Sequence, residues 1–143
     1  MQLNPSTITN NSLITHEFAS RNEFLTAISE NKDKILLFKF TADWCKPCKQ
    51  IKDDVNNLIS DLKDHVTCYE LDVDENFDVY AFLKSKKMLT GIPSILIYYP
   101  GNTSYGSDLS VSGTDISNYK NVFLQINNYK IMTTWHVKNI FKK

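Results

Sequence analysis

The stretch Leu36-Leu37-Phe38-Lys39-Phe40-Thr41-Ala42-Asp43-Trp44-Cys45-Lys46-Pro47-Cys48 decides how this chain is read. Its apolar run, Lys34–Phe40, marks a strand buried on both faces. After Cys48 the period changes. Ile51, Val55, Leu58, Ile59 and Leu62 fall on one face of a helix. The segment is therefore a strand that delivers two thiols to a helix start. There, unpaired first-turn amides and the helix dipole favour an anion at Cys45. Lys46 adds an adjacent positive charge. The two residues between the sulfurs form part of one turn, which brings Cys48 close enough to bond Cys45. These effects favour the thiolate of Cys45, the form that acts as a nucleophile. Pro47 costs little, because first-turn N–H groups have no intrahelical partner. One residue does not fit: Lys39 puts an ammonium inside the apolar run.

Working outward, Ser20-x-x-Glu23 is a capping box. Phe24, Leu25 and Ile28 continue it as a first helix to about Glu30. Leu13–Phe18 reads as a short edge strand, Val66–Val73 as a strand and Asp74–Lys86 as a third helix. Gly91-Ile92-Pro93 breaks the pattern before an apolar strand, Ser94–Tyr99. Pro100–Ser107 is a hairpin loop and Leu109–Ser112 its return strand. Thr114 or Asp115 caps a last helix, with Ile116, Tyr119, Phe123 and Ile126 in phase. Strands that alternate with helices predict an α/β fold: a central mixed β-sheet flanked by helices on both faces.

The chain of 143 residues suits one domain, 13–129, between a flexible N-terminal arm, 1–12, and a basic-aromatic C-terminal extension, 130–143. The extension reads as a continuation of the last helix that packs Trp135 or Phe141. Its alternative role is a weak contact with a membrane surface or partner. A chain of this length buries about 70% of its unfolded surface and needs no disulfide or metal to hold a core. Zero formal net charge removes any whole-molecule attraction to nucleic acid or anionic lipid. Arg21 is the single arginine, which leaves little capacity for bidentate base or phosphate recognition. No apolar run reaches the roughly 18 residues of a membrane span. Residues 1–12 lack the features of a signal peptide, so a cytoplasmic, reducing location is expected. Three cysteines, an odd number, argue against a structural disulfide framework and for redox or metal chemistry.

From about Leu13 to Tyr129 the chain resembles the thioredoxin family. The carriers are Phe40-Thr41-Ala42-Asp43-Trp44-Cys45-Lys46-Pro47-Cys48-Lys49, Thr90-Gly91-Ile92-Pro93-Ser94, and Ser112-Gly113. The resemblance implies a thioredoxin-like fold and a protein-disulfide reductase. Cys45 would attack a substrate disulfide, and Cys48 would resolve the mixed disulfide. The redox-active Cys45–Cys48 disulfide would suffice without a bound cofactor. Partners would be disulfide-containing proteins and a thioredoxin reductase or small-thiol electron donor, with no nucleic acid. Pro93 would be cis and set the backbone of Ile92 beside the nucleophile. Trp44, Ile92 and Gly113, with Val73, would form the apolar rim of the docking groove. The charge of Lys46 would make the couple more oxidising than a glycine would.

Most thioredoxins carry a buried acid at the position of Lys39 and a lysine at the position aligned with Glu70. Here the two charges are exchanged. The expectation is that Glu70, on one strand face with Val66 and Cys68, faces Lys39, because an unpaired buried charge is costly. In the family the acid is taken to relay a proton to or from the resolving cysteine. An ammonium cannot accept one. Lys39 would instead stabilise a Cys48 thiolate, or act as a base if desolvation lowers its pKa. The competing reading lets Lys39 snorkel into water.

Two rival functions remain at this stage. Cys45-x2-Cys48-x16-His65-x2-Cys68 has the spacing of a Cys3His zinc site. Against it stand the amphipathic helix between the halves, Pro47, and the apolar strand around Cys68. The other rival is a redox-inert binding module of thioredoxin fold, although such modules usually lose one or both cysteines. His16, His65 and His136 are too scattered for a catalytic constellation.

Overall fold

The structure, a computed structural model, describes residues 13–129. The arm 1–12 and the extension 130–143, with Trp135, His136 and Phe141, lie outside the described residues. Five strands and four helices follow the expected order: β1 (Leu13–Thr15), α1 (Arg21–Ser29), β2 (Ile35–Thr41), α2 (Lys46–Ser60), β3 (Val66–Asp72), α3 (Phe77–Ser85), β4 (Ser94–Tyr98), β5 (Leu109–Ser112) and α4 (Ile116–Asn128). The sheet order is β1-β3-β2-β4-β5. β1 and β2 both run parallel to β3, while β4 runs antiparallel to β2 and to β5. The sheet is mixed, as expected.

β2 is central, and its side chains alternate between two cores. Leu36, Phe38 and Phe40 pack with Phe24 and Ile28 of α1, Val79 and Leu83 of α3, and Tyr98. Ile35 and Leu37 pack on the other face with Ile51, Val55 and Ile59 of α2 and with Tyr119, Phe123 and Ile126 of α4. Each such side chain contributes roughly 1.5–3 kcal/mol by burial. The alternation aims Lys39 at the α2 face, one step beyond Leu37. No helix among the described residues is long and apolar enough to cross a membrane.

Local chemistry sets the boundaries, and two differ from expectation by more than one residue. β1 stops at Thr15 rather than reaching Phe18. Buried Asn76 accepts from the Phe18 amide (2.8 Å) and donates to the His16 carbonyl (3.1 Å), which turns the chain inward. α3 starts at Phe77 rather than Asp74, because Asp72 Oδ1 accepts the amides of Asp74 (2.8 Å) and Glu75 (3.3 Å) and holds a turn first. At its other end the amides of Lys87 and Met88 donate to the carbonyls of Lys84 and Leu83. That is a Schellman closure with lysine, at φ 62°, where glycine is usual. α1 is capped by Ser20 and α4 by Asp115, as two of the proposed caps require.

Candidate active site

β2 ends at Thr41, and within a few residues the chain enters α2. Cys45 is the N-cap. Its extended backbone directs Sγ over the first turn, where it accepts the Cys48 amide at 3.2 Å. Cys45 and Cys48 form a disulfide, with Cα atoms 5.3 Å apart. Pro47 occupies the first turn, where its missing N–H is harmless. Trp44 is 67% exposed, so it is not a core residue. Its indole N–H donates to Asp74 Oδ2 at 2.8 Å, tying the β2–α2 loop to the turn after β3.

One expectation needs correcting. A nucleophile is expected to be an exposed sulfur, yet Cys45 is 3% exposed in the disulfide form. Its sulfur is bonded to Cys48 and folded over the helix start. Trp44, Lys46 and Pro47 form the exposed face instead. Val73, expected on the rim, is likewise buried in the core beneath the site.

The antiparallel pairing Phe40↔Ser94 brings the start of β4 to the end of the sheet where β2 delivers the cysteines. The Ile92–Pro93 peptide there is cis. Gly113 donates its amide to the Pro93 carbonyl at 3.1 Å and accepts from Tyr119 Oη at 2.7 Å. Its φ of +87° is one that only glycine adopts without strain. Ile92 is half-buried against the core, and among the described residues its backbone N–H and C=O have no backbone partner.

Lys39 and Glu70 are register partners in the β2–β3 ladder, so their side chains share a face. Lys39 Nζ lies 3.3 Å from Glu70 Oε2 and 3.2 Å from Asn56 Oδ1. The lysine side chain is only 4% exposed, which rules out the snorkelled reading, whereas that of Glu70 keeps 27%. Burial pushes the Lys39 pKa down, the Glu70 carboxylate opposes this, and the charge of Lys52 adds to it. Beside the pair lies a hollow of about 90 Å³, lined by Lys39, Thr41, Asp43, Lys49, Lys52, Glu70 and Cys48 among others. The exchanged pair thus lines the same hollow as Cys48. Sequence reasoning missed Asn56, Lys52 and Asp74. Cys48, Lys52 and Asn56 are spaced i, i+4, i+8 on α2, a polar stripe that was open to reading. Asp74 gave no such signal, since its partner is thirty residues away.

The four residues of the zinc reading do not assemble. His65 and Cys68 lie beside the start of β2: the His65 carbonyl accepts from Ile35, and Cys68 pairs with Leu37. The dithiol lies beyond the far end of β2, and from the level of Cys68 the strand still has roughly 13 Å to run before it ends. Cys68 is buried, and burial raises its thiol pKa to about 12. Among the described residues no three metal-ligating side chains cluster.

A family model described as Thioredoxin matches residues 15–120. The chain is 34% identical over 109 residues to thioredoxin O1, mitochondrial, of Arabidopsis thaliana, an alignment covering 75% of this chain and 53% of that protein. It thus spans about half of that relative's length. It is 33% identical over 85 residues to thioredoxin-1 of Saccharomyces cerevisiae, covering 59% of this chain and 76% of that one. The crystal structure of Malassezia sympodialis thioredoxin superposes with a TM-score of 0.62 at 22% identity, covering 83% of this chain and 94% of the other. At that identity the likeness speaks for the fold.

Proposed function

This chain belongs to the thioredoxin family, and from that premise we propose that it reduces protein disulfides by thiol–disulfide exchange. The observation that carries the reading is a disulfide closed between the N-cap and first turn of α2, over the helix amides. The Cys45 thiolate attacks one sulfur of a substrate disulfide, and the other substrate sulfur leaves as a thiolate. Cys48 then attacks Cys45 Sγ, expelling the second substrate thiol and leaving the Cys45–Cys48 disulfide. Two electrons have passed to the substrate. A thioredoxin reductase or a small thiol returns them, and no bound cofactor takes part.

Lys46 favours the thiolate at Cys45 by charge, and Pro47 keeps the first turn open. Trp44, Ile92 and Gly113 form the docking surface over the cis Pro93, which is itself buried, with the free backbone groups of Ile92 available to an extended substrate segment. The Lys39–Glu70 pair modulates the ionisation of Cys48. The working compartment is a reducing one, cytoplasmic by expectation, and the location of a tagged chain checks this. Reduction of insulin by dithiothreitol, with and without the protein, tests the activity. Catalysed precipitation that Cys45→Ser abolishes is expected. No acceleration over dithiothreitol alone would leave only the redox-inert binding module.

A further inference from the structure

Phe77, at the first position of α3, is the most exposed large apolar side chain among the described residues, at 69%. It belongs to neither core, so the fold gains no burial from it. We infer that Phe77 selects substrates: it takes an apolar side chain from the segment beside the substrate disulfide, while a lysine or arginine of that segment meets Asp74 and Glu75. This deepens the proposed dithiol exchange and rests on it.

The topology brings Phe77 to the end of the sheet that holds the dithiol. β2 and β3 run parallel and end level, with Thr41 opposite Asp72. The loop after Thr41 carries Trp44 and Cys45, and the turn after Asp72 leads through Asp74 and Glu75 into Phe77. The two are fastened side by side. The Val73 amide donates to the Thr41 carbonyl at 2.9 Å, and Trp44 Nε1 donates to Asp74 Oδ2 at 2.8 Å. Phe77 follows Asp74 by three residues, so their Cα atoms are at most about 11 Å apart. An extended segment covers that span in about four residues. Trp44 is itself 67% exposed, so two open rings flank Asp74 on the docking side.

The charges around Phe77 say what suits it. Asp78, the next residue, is held by Arg21 at 2.7 Å. Asp72 Oδ1 is occupied by the amides of Asp74 and Glu75. Asp74 and Glu75 are exposed, and neither forms an ion pair among the described residues. An uncompensated pair of carboxylates thus borders the apolar ring, on a chain whose net charge is zero. A basic segment is complementary there, and an acidic one is repelled. Covering the ring with an apolar side chain supplies the attraction that the fold leaves unused.

The test uses the fully reduced chain and synthetic peptides dimerised through one cysteine disulfide, in single turnovers quenched with acid and read by chromatography. A Leu-Lys pair is moved stepwise away from the cysteine, on either side, in an otherwise Gly-Ser sequence. One register should react roughly tenfold faster than the Gly-Ser parent. Phe77→Ser should remove that advantage. It should leave unchanged the rates with the parent peptide and with Ellman's reagent, a disulfide too small to reach from Cys45 to Phe77. Phe77→Leu should keep most of the advantage, and Glu75→Lys should favour Leu-Glu over Leu-Lys in the same register. If no register depends on Phe77, the inference is overturned. Equal slowing of every substrate by Phe77→Ser would overturn it too, since that marks a structural role. So would a dimer of the unaltered chain that Phe77→Ser dissolves, which gives this face to a second copy. Absence of a fast reaction between the unaltered chain and Ellman's reagent would instead sink the exchange chemistry itself.

Discussion

Lys39→Met probes the energetics of the buried pair most sharply. Methionine keeps the length and apolar stem of lysine and removes the ammonium. Two effects then oppose. Relief of a charge in a residue 3% exposed is stabilising, since replacing buried ionic groups by apolar ones is neutral or favourable by about 1–4 kcal/mol. Loss of the ammonium strands Glu70, but that side chain keeps 27% exposure and can rehydrate. Its cost is therefore about 1 kcal/mol rather than the 3–5 of a fully buried charge. The net change at neutral pH should lie within about 1 kcal/mol of zero. Glu70→Ala leaves the ammonium with Asn56 alone and should cost roughly 3 kcal/mol. The pH dependence gives a second signature. Burial holds the Lys39 pKa below its ordinary 10.5. Between the folded and unfolded values the unfolded chain binds more protons, so this contribution to stability rises with pH toward 10.5. The unaltered protein should gain on Lys39→Met across that window, by at most about 1.4 kcal/mol per pH unit. Cys68 and Tyr119, both pushed up to about 12 by burial, act in the opposite direction. They ionise first in the unfolded chain, but cancel in the difference between the two proteins. Urea denaturation of both from about pH 7 to about pH 10 measures it. A difference that stays constant with pH, or a large loss in Lys39→Met with none in Glu70→Ala, refutes the reasoning.

Three further outcomes follow from the fold. Lys87→Gly relieves the left-handed backbone at the end of α3 and should raise stability by about 0.5–1 kcal/mol, read from the urea midpoint. Asn76→Ala leaves the buried Phe18 amide unpaired and should lower stability by about 2–3 kcal/mol, with the denaturant slope unchanged. Cys68→Ala should cost about 1 kcal/mol of stability and leave insulin reduction unaffected, because the thiol is buried in the core and takes no part in the disulfide.

Much of this architecture was open to a reader of the sequence. The apolar continuity of β2, the period change after Cys48 and the caps at Ser20 and Asp115 are local signals, and the element order follows from them. The pairing of Lys39 with Glu70 was legible only by combining strand parity with the family's charge pattern. What stayed hidden was long-range or state-dependent. Asn76 reaches back about sixty residues to His16, and nothing near it in sequence announces a clamp. Lys87 is an unfavourable choice for its backbone conformation, so propensity argued against the αL closure that ends α3 there. Cys45 is buried in the disulfide form, where its sulfur is bonded to Cys48 over the helix start, and residue order does not announce that burial.

The central claim is that Cys45 becomes a reactive thiolate once the disulfide opens. The most direct measurement is the rate at which iodoacetamide modifies each cysteine of the reduced protein near neutral pH, resolved by peptide mass spectrometry. Cys45 should be modified first and much faster than free glutathione, with Cys68 untouched on the same timescale. Modification of Cys45 no faster than glutathione, or after Cys48, would contradict the account.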